Sequence, residues 1–309
     1  MSEIDPKEVA IIGLGPGGVS ASIYLQRYGM KPVCYEKALV GGKVNETEKI
    51  ENVAGIKSIK GPELGMLLED QMGSFDIPVH YEEVKALTLN QDGTFHLVSS
   101  KGEKDFKYVI LANGLAERPF PIEGEEEFHK RGISRCAICD GPLYKGKDVA
   151  VVGAGNAAFE EATYLASICS HVTLIARRKE FRADETVVKK FESLPNTTVY
   201  APYEVIRAAG NSIIESITVR NKETGEQKLI GIAGLFLYVG EIPSTSFLGI
   251  EGLADEKGYI ITDSNLQTKV KNLYAIGDCR NTPLRQVATA TGDGALAATN
   301  IHSSYQKGE

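Results

Sequence analysis

The chain has 309 residues, 42% of them hydrophobic and 24% charged, with a net charge of −7. That length accommodates two domains, each able to bury its own core. The negative balance speaks against a general affinity for nucleic acid or an anionic membrane surface, and no apolar run is long enough to span a bilayer. The N-terminal MSEIDPKEVAIIG is acidic and its apolar run is too short for a signal peptide. Five cysteines are an odd and sparse set, unlike a secreted disulfide framework, so a cytoplasmic chain is expected.

In chain order, EVAIIGLGPGGVSASIYLQRYGMKPVCYEK (8–37) reads as strand, glycine turn, helix ending at Gly29, and strand. A mixed region follows, with a strand in FHLVSS and another in KYVILANG that ends at Asn113 and Gly114. DVAVVGAGNAAFEEATYLASICSHVTLIARR (148–178) repeats the first pattern, with its helix ending near Cys169 to His171. SIIESITVRNKETGEQKLI reads as a hairpin turning at Thr224-Gly225. GLFLYVGEIP gives a buried strand ending at Gly240, and NLYAIGDCRN another ending at Gly277 and Asp278. VATATGDGALAATNIHSSYQ is small-residue-rich and helical in pattern.

The first glycine turn is Gly13, Gly15 and Gly18 in G-x-G-x-x-G. Gly13 permits the tight turn, Gly15 lets the backbone approach a pyrophosphate, and Gly18 lets helix and strand pack closely. The helix N-terminus then offers unpaired N–H groups to phosphate. Glu36 closes the second strand, where a carboxylate accepts ribose hydroxyls and repels a 2′-phosphate. The alternative is an ordinary glycine turn. The second turn is Gly153, Gly155 and Ala158, and no acid takes the ribose position after it; Arg177, Arg178 and Arg182 cluster there instead. Guanidinium groups at that place pair with a 2′-phosphate, which reads as NADPH, against the alternative of a solvated basic face. Two units with opposite ribose preferences imply two cofactors, FAD on the first together with the late AIGD strand, and NADPH on the second.

Just ahead of the second unit, SRCAICDGPLYKG (134–146) places Cys136 and Cys139 in C-x-x-C, followed at once by Asp140. Zinc needs two further ligands; His129 is near, but there is no second C-x-x-C and no H-x-x-x-H. No metal is therefore expected, and a redox dithiol is. Cys34 and Cys169 fall in apolar periodic positions and read as core thiols. Cys279 has no assigned role, and none of the five histidines lies in a catalytic pattern.

These motifs, with the Gly41-Gly42 pair, Glu51-Asn52, ARRKEFR and RQVATATGDG, occur in an order and spacing that resembles the low-molecular-weight bacterial thioredoxin reductases over essentially the full chain. The resemblance implies an α/β fold of two Rossmann-like dinucleotide-binding domains of the three-layer type, with the NADPH domain inserted into the FAD domain. The expected boundaries are 1–116 and 244–309 for FAD, and 117–243 for NADPH and the dithiol. It implies a homodimer passing electrons from NADPH through FAD to the dithiol and on to thioredoxin. Cys139 would be the flavin-side thiol, forming a charge-transfer thiolate, Cys136 the interchange thiol and Asp140 the general acid. FAD contacts would include Gly13, Gly15, Pro16, Gly17, Gly18, Glu36, Lys37, Gly41, Gly42, Asn52, Ala112, Gly114, Gly277, Asp278, Arg285, Gln286 and Val287. NADPH contacts would include Gly153, Gly155, Asn156, Ala157, Arg177, Arg178, Arg182 and Gly240.

The sequence departs from that family at Ala176, where a histidine is usual, at Lys43-Val44, at Asn113, and at Pro142-Leu143, where many members carry two aromatic residues. The last departure leaves a glutaredoxin-like, other thioredoxin-like or small-molecule disulfide open as substrate. A flavin-bound sensor without turnover is the reading from another class. Leu115–Pro119 and Gly240–Ser244 are expected hinges. Leu143 and Tyr144, ringed by Lys130, Arg131, Lys145 and Lys147, are either a docking surface or, for Leu143, buried structure.

Overall fold

In the computed structural model, which describes residues 4–47 and 49–308, β1 (Glu8–Ile12) is buried along nearly its whole length. The unread positions include the first three residues of the N-terminal segment discussed above. An apolar run without alternation is what a strand covered on both faces requires. β1 leads through the glycine turn into α1 (Pro16–Arg27), whose first residue is a proline already set at the helical φ. β2 (Lys31–Glu36) then pairs with β1 in parallel. A 3₁₀ turn, Gly42–Glu46, leads to α2 (Gly61–Gly73) and β3 (Val79–Tyr81). β4 (Val84–Leu89), β5 (Phe95–Ser99) and β6 (Glu103–Phe106) form an antiparallel meander, and β7 (Tyr108–Leu111) returns to the other side of β1.

β8 (Leu115–Glu117) is the first crossing. Beyond it come α3 (Glu125–Phe128), β9 (Ile133–Ser134), α4 (Ala137–Asp140) and β10 (Asp148–Gly153). α5 (Asn156–Ala166), β11 (His171–Ile175), α6 (Glu185–Glu192) and β12 (Thr197–Tyr200) follow. β13 (Tyr203–Gly210), β14 (Ile214–Asn221) and β15 (Gln227–Gly231) make a second antiparallel sheet, and β16 (Gly234–Tyr238) pairs with β10. β17 (Glu241–Pro243) pairs with β8 at the return crossing. β18 (Leu273–Ala275) joins β7, and α7 (Val287–Gln306) ends the described chain.

The chain divides into two units, one made of the residues up to Ala116 together with those from Glu241 onward, the other of Glu117–Gly240. The second therefore interrupts the first. Each has three layers. In the first, the sheet β18-β7-β1-β2-β3 turns Val9 and Ile11 toward α1 and α7. Their neighbours Ala10 and Ile12 face Leu87, Phe95, Leu97 and Phe106 of the meander. In the second, the sheet β12-β11-β10-β16-β9 turns Val149 and Val151 toward α5, and Ala150 and Val152 toward β13–β15. The two-residue period of a strand thus feeds two cores from one run. This is the expected three-layer α/β architecture.

Local differences from the sequence reading cluster at strand and helix ends. α1 stops at Arg27 and α5 at Ala166, both short of the expected Gly29 and Cys169–His171. β7, β16 and β18 end at Leu111, Tyr238 and Ala275, so the glycines at 114, 240 and 277 belong to the turns beyond, all at positive φ. The return crossing falls after Gly240, and Glu241–Pro243 belong to the first unit, three residues earlier than the boundary read from sequence. Among the described residues no helix is long and apolar enough to cross a membrane.

Candidate active site

The first glycine turn is built by steric exclusion. Gly13 sits at φ +95°, and a Cβ there would lie 2.6 Å from the Ala112 carbonyl oxygen. A Cβ on Gly18 would lie 2.0 Å from the Gly13 oxygen, so the helix can approach the strand this closely only without one. Glu36 is buried, and both its oxygens are held: the Leu14 N–H donates to Oε2 (2.8 Å) and the Ala38 N–H to Oε1 (2.9 Å). The carboxylate is thus held against the first glycine turn. The Gly41 N–H donates to the Leu14 carbonyl (2.7 Å), and Gly42 lies against Gly15, which seats the glycine pair on the same turn. Pro16 and Gly17 open α1, while Lys37 is exposed just past Glu36.

The late strand brings a second group of residues into the same unit. Gly277 and Asp278 form a 3₁₀ turn after β18. Burial pushes the Asp278 carboxyl above the ordinary carboxylate range, while the positive charges of Arg285 and Lys43 oppose that. No described residue donates a hydrogen bond to its carboxylate. Lys43 is engaged with Glu241. The Arg285 guanidinium lies 4.1 Å over the Tyr259 ring and its Nε donates to the Asp278 carbonyl (3.4 Å). Asn52 Nδ2 donates to Gln286 Oε1 (2.8 Å), Gln286 caps α7, and Val287 packs on Val44, Ile50 and Leu64. Asn113 donates to the Ser244 carbonyl, and its buried Oδ1 has no hydrogen-bond partner.

In the second unit, a Cβ on Gly153 would lie 2.5 Å from the Ala158 side chain, so helix and strand meet here through an alanine in place of a third glycine. Nothing lies within 4 Å of where a Cβ on Gly155 would stand. Ala157 is exposed in the first turn of α5, and Gly240 is exposed beyond β16. Asn156 is tied to Asp184 through two hydrogen bonds of 2.8 and 2.7 Å, so its amide fixes the loop after β11. Arg177, Arg178 and Arg182 are exposed there, and none of their guanidinium groups has an ion-pair or hydrogen-bond partner among the described residues.

Cys136 and Cys139 are joined in a disulfide with Cα atoms 5.3 Å apart, spanning the single turn of α4. The Cys139 N–H points at Cys136 Sγ (3.2 Å), a donor that favours the thiolate when that sulfur is free. Asp140 accepts from Ser134 Oγ (2.7 Å), and that hydroxyl accepts from the Cys136 N–H (3.1 Å). The Tyr238 hydroxyl accepts from the Ala137 N–H (2.9 Å). Cys139 is exposed and Cys136 half-buried. The following 3₁₀ turn, Gly141–Tyr144, is pinned at both ends. Gly141 is buried against Tyr164, Leu165 and Ile168, and Tyr144 stands edge-on to Phe236 over Gly234. Leu143 projects between them with 69% of its surface exposed. Leu143 is therefore surface and Tyr144 is packing, which narrows the expected apolar pair to one residue.

The remaining thiols, Cys34, Cys169 and Cys279, are free and buried. Burial pushes Cys34 and Cys279 up to about 12 and Cys169 up to about 11. Sequence reasoning missed Ser134, Tyr238 and Tyr259, and it missed Arg280 and Asp293, which pair in the first unit. The only signal for Ser134 was its place two residues ahead of Cys136.

A family model described as pyridine nucleotide-disulphide oxidoreductase matches residues 7–294. The chain belongs to that family. Within it, the thioredoxin reductase of Ureaplasma parvum serovar 3 is 38% identical over 294 residues, covering 94% of this chain and 94% of that protein. The thioredoxin reductase of Bacillus subtilis is 36% identical over 309 residues, covering 97% and 95%. The crystal structure of Lactococcus lactis thioredoxin reductase (FR conformation) superposes with a TM-score of 0.89 at 34% identity, over 97% of this chain and 99% of that one. These relatives place the chain among the thioredoxin reductases of the pyridine nucleotide-disulphide oxidoreductase family.

Proposed function

We propose that this chain is an NADPH-dependent flavoprotein that reduces the disulfide of thioredoxin or a thioredoxin-like protein. The carrying observation is the Cys136–Cys139 disulfide beside Asp140, in a unit that also presents a glycine turn and three unpaired arginines. FAD fits the first unit: the cleared turn at Gly13–Gly18 would receive its pyrophosphate, Glu36 a ribose, and the donor-poor Asp278 the hydroxyls of a polyol. NADPH fits the second, with Gly153–Ala158 on its pyrophosphate and Arg177, Arg178 and Arg182 on its 2′-phosphate. Bound there, FAD would supply the two-electron chemistry that links nicotinamide to the disulfide.

The protein's own chemistry is thiol–disulfide exchange. The Cys136 thiolate attacks the substrate disulfide, whose S–S bond breaks as a mixed disulfide forms, and the departing substrate thiolate takes a proton. Cys139 then attacks Cys136 Sγ, closing the internal disulfide and releasing the second substrate thiolate. Asp140, held by the Ser134 hydroxyl, supplies a proton to the leaving sulfur. The same reading takes the working form to be a homodimer in the cytoplasm, where a lone C-x-x-C points to catalysis. NADPH oxidation by the purified protein, measured against a panel of the organism's own thioredoxin-like proteins and small disulfides, tests the function. Turnover on small disulfides alone would refute a protein substrate.

Leu143 is the proposed apolar contact for that substrate. Leu143→Asp should raise KM for the protein substrate about tenfold and leave turnover of a small disulfide dye within about twofold. Equal loss on both substrates would mean that Leu143 supports the fold.

A further inference from the structure

The Arg280–Asp293 pair has been given no role above, although Arg280 follows the AIGD strand and Asp293 lies within RQVATATGDG. Arg280 Nε donates to Asp293 Oδ2 (2.7 Å) and a terminal nitrogen to Oδ1 (2.9 Å), with only 17% and 12% of the two side chains exposed. The same Oδ2 accepts the Gly277 N–H at 3.0 Å. One carboxylate thus takes three donors, two of them on a guanidinium fork, the strong form of such a bond. All three donors belong to the turn at residues 277–280, which Gly277 enters at φ +67° and which carries Asp278.

Asp293 also stands on the part of α7 keyed to the first glycine turn. A Cβ on the adjacent Gly294 would lie 2.2 Å from the Gly17 oxygen, and one on Gly17 3.0 Å from the Ala290 oxygen. Ser20 Oγ donates to the Thr291 carbonyl (2.8 Å). Residues 290–294 are therefore fixed to the start of α1 on one side and to the 277–280 turn on the other. The two turns come from chain segments more than 250 residues apart, and this stretch of helix ties them together beyond the ends of β1 and β18, which the sheet already sets one strand apart.

We propose that Asp293, with Arg280, is a positioning pair that fixes the Gly277–Asp278 turn against the Gly13–Gly18 turn at the spacing FAD requires. This rests on reading the first unit as the FAD unit. The pair acts through the Gly277 N–H and through the place it gives the Asp278 carboxylate.

The test is titration of the flavin-free protein with FAD, followed by flavin fluorescence, with thermal melting of each flavin-free form as the fold control. Asp293→Ala, which releases Gly277 and strands Arg280, should weaken FAD binding at least tenfold, about 1.4 kcal/mol. Arg280→Ala leaves the Gly277 bond and should cost less. Asp293→Asn keeps one acceptor for Gly277 and should fall between the unmutated protein and Asp293→Ala. The double variant D293A/R280A should lose less than the product of the two single losses, because it strands no charge. FAD affinity within twofold of the unmutated protein in all variants overturns the proposal. So do single losses that simply multiply, or an affinity loss that only follows a lowered melting temperature. Should Asp293→Ala not fold, D293N/R280M retains the bulk and is judged by the same criteria. If the unmutated flavin-free protein itself fails to bind FAD, the reading of the first unit is wrong, a result distinct from any of these.

Discussion

Replacing Cys136 by serine should reduce turnover of a protein disulfide by about a thousandfold or more, since the attacking nucleophile is gone and a hydroxyl does not replace a thiolate. Cys139→Ser should be as inactive, for a different reason. Its Cys136 can still attack, but nothing resolves the product, so a covalent mixed disulfide with the substrate should accumulate and run as one band on a non-reducing gel. Cys136→Ser should not trap substrate in this way. The two variants should also differ in colour while the flavin is oxidised: Cys136→Ser, whose Cys139 is a free thiolate, shows the long-wavelength thiolate–flavin band and Cys139→Ser lacks it. Trapping by Cys136→Ser and not by Cys139→Ser would reverse the assignment. Substituting Cys34, Cys169 or Cys279 should leave turnover largely intact, because burial raises all three thiols far above neutral pH.

Arg177→Ala with Arg178→Ala should collapse the preference for NADPH. Both guanidinium groups are exposed and uncommitted, so the 2′-phosphate meets charges that no internal carboxylate neutralises. Two charge-assisted pairs at a partly solvated site are together worth about 2–4 kcal/mol, or roughly 30- to 1,000-fold in kcat/KM for NADPH. NADH, which lacks that phosphate, should change by no more than a few-fold. The advantage should also shrink with salt, as exposed pairs do. Comparison of kcat/KM for both nucleotides at two ionic strengths decides it; equal values in the unmutated protein would remove the arginines from the mechanism.

The sequence carried the parts of the site that depend on neighbours along the chain. The β-branched runs at Val9–Ile12 and Val149–Val152 announced strands, and Glu36 was legible because its distance from the glycine turn is set by one helix and one strand. The helix at Val287–Gln306 was readable to its last turn. β13 was not, because register shifts at Val205/Arg207 and Ala209/Gly210 break the alternation by which a strand is recognised. Strand ends were read too long, since a glycine punctuates the turn after a strand and does not say where pairing stops. Arg280 and Asp293 meet only after α7 docks, so no local spacing encodes them. The same holds for Tyr144, whose place over Gly234 depends on how β16 lies in its sheet, and which looked as free as Leu143.

The interruption of the first unit by the second sets an order of birth. On the ribosome, Glu117–Gly240 emerges as one continuous piece with all of its own strands, and can close as soon as it is out. The earlier segment cannot. Val9 and Ile11 wait for Ala297, Ala298 and Ile301 to cover them, and β7 waits for β18. At about 5–20 residues per second, that leaves an apolar face open for roughly ten seconds or more of synthesis, the interval in which a nascent chain most needs a chaperone. The thiol-bearing unit is thus finished while its companion is still half made. Protease digestion of ribosome-arrested chains reads that order directly, since chains halted far enough past Gly240 for it to have left the ribosome should shield the middle of the polypeptide and leave its beginning open.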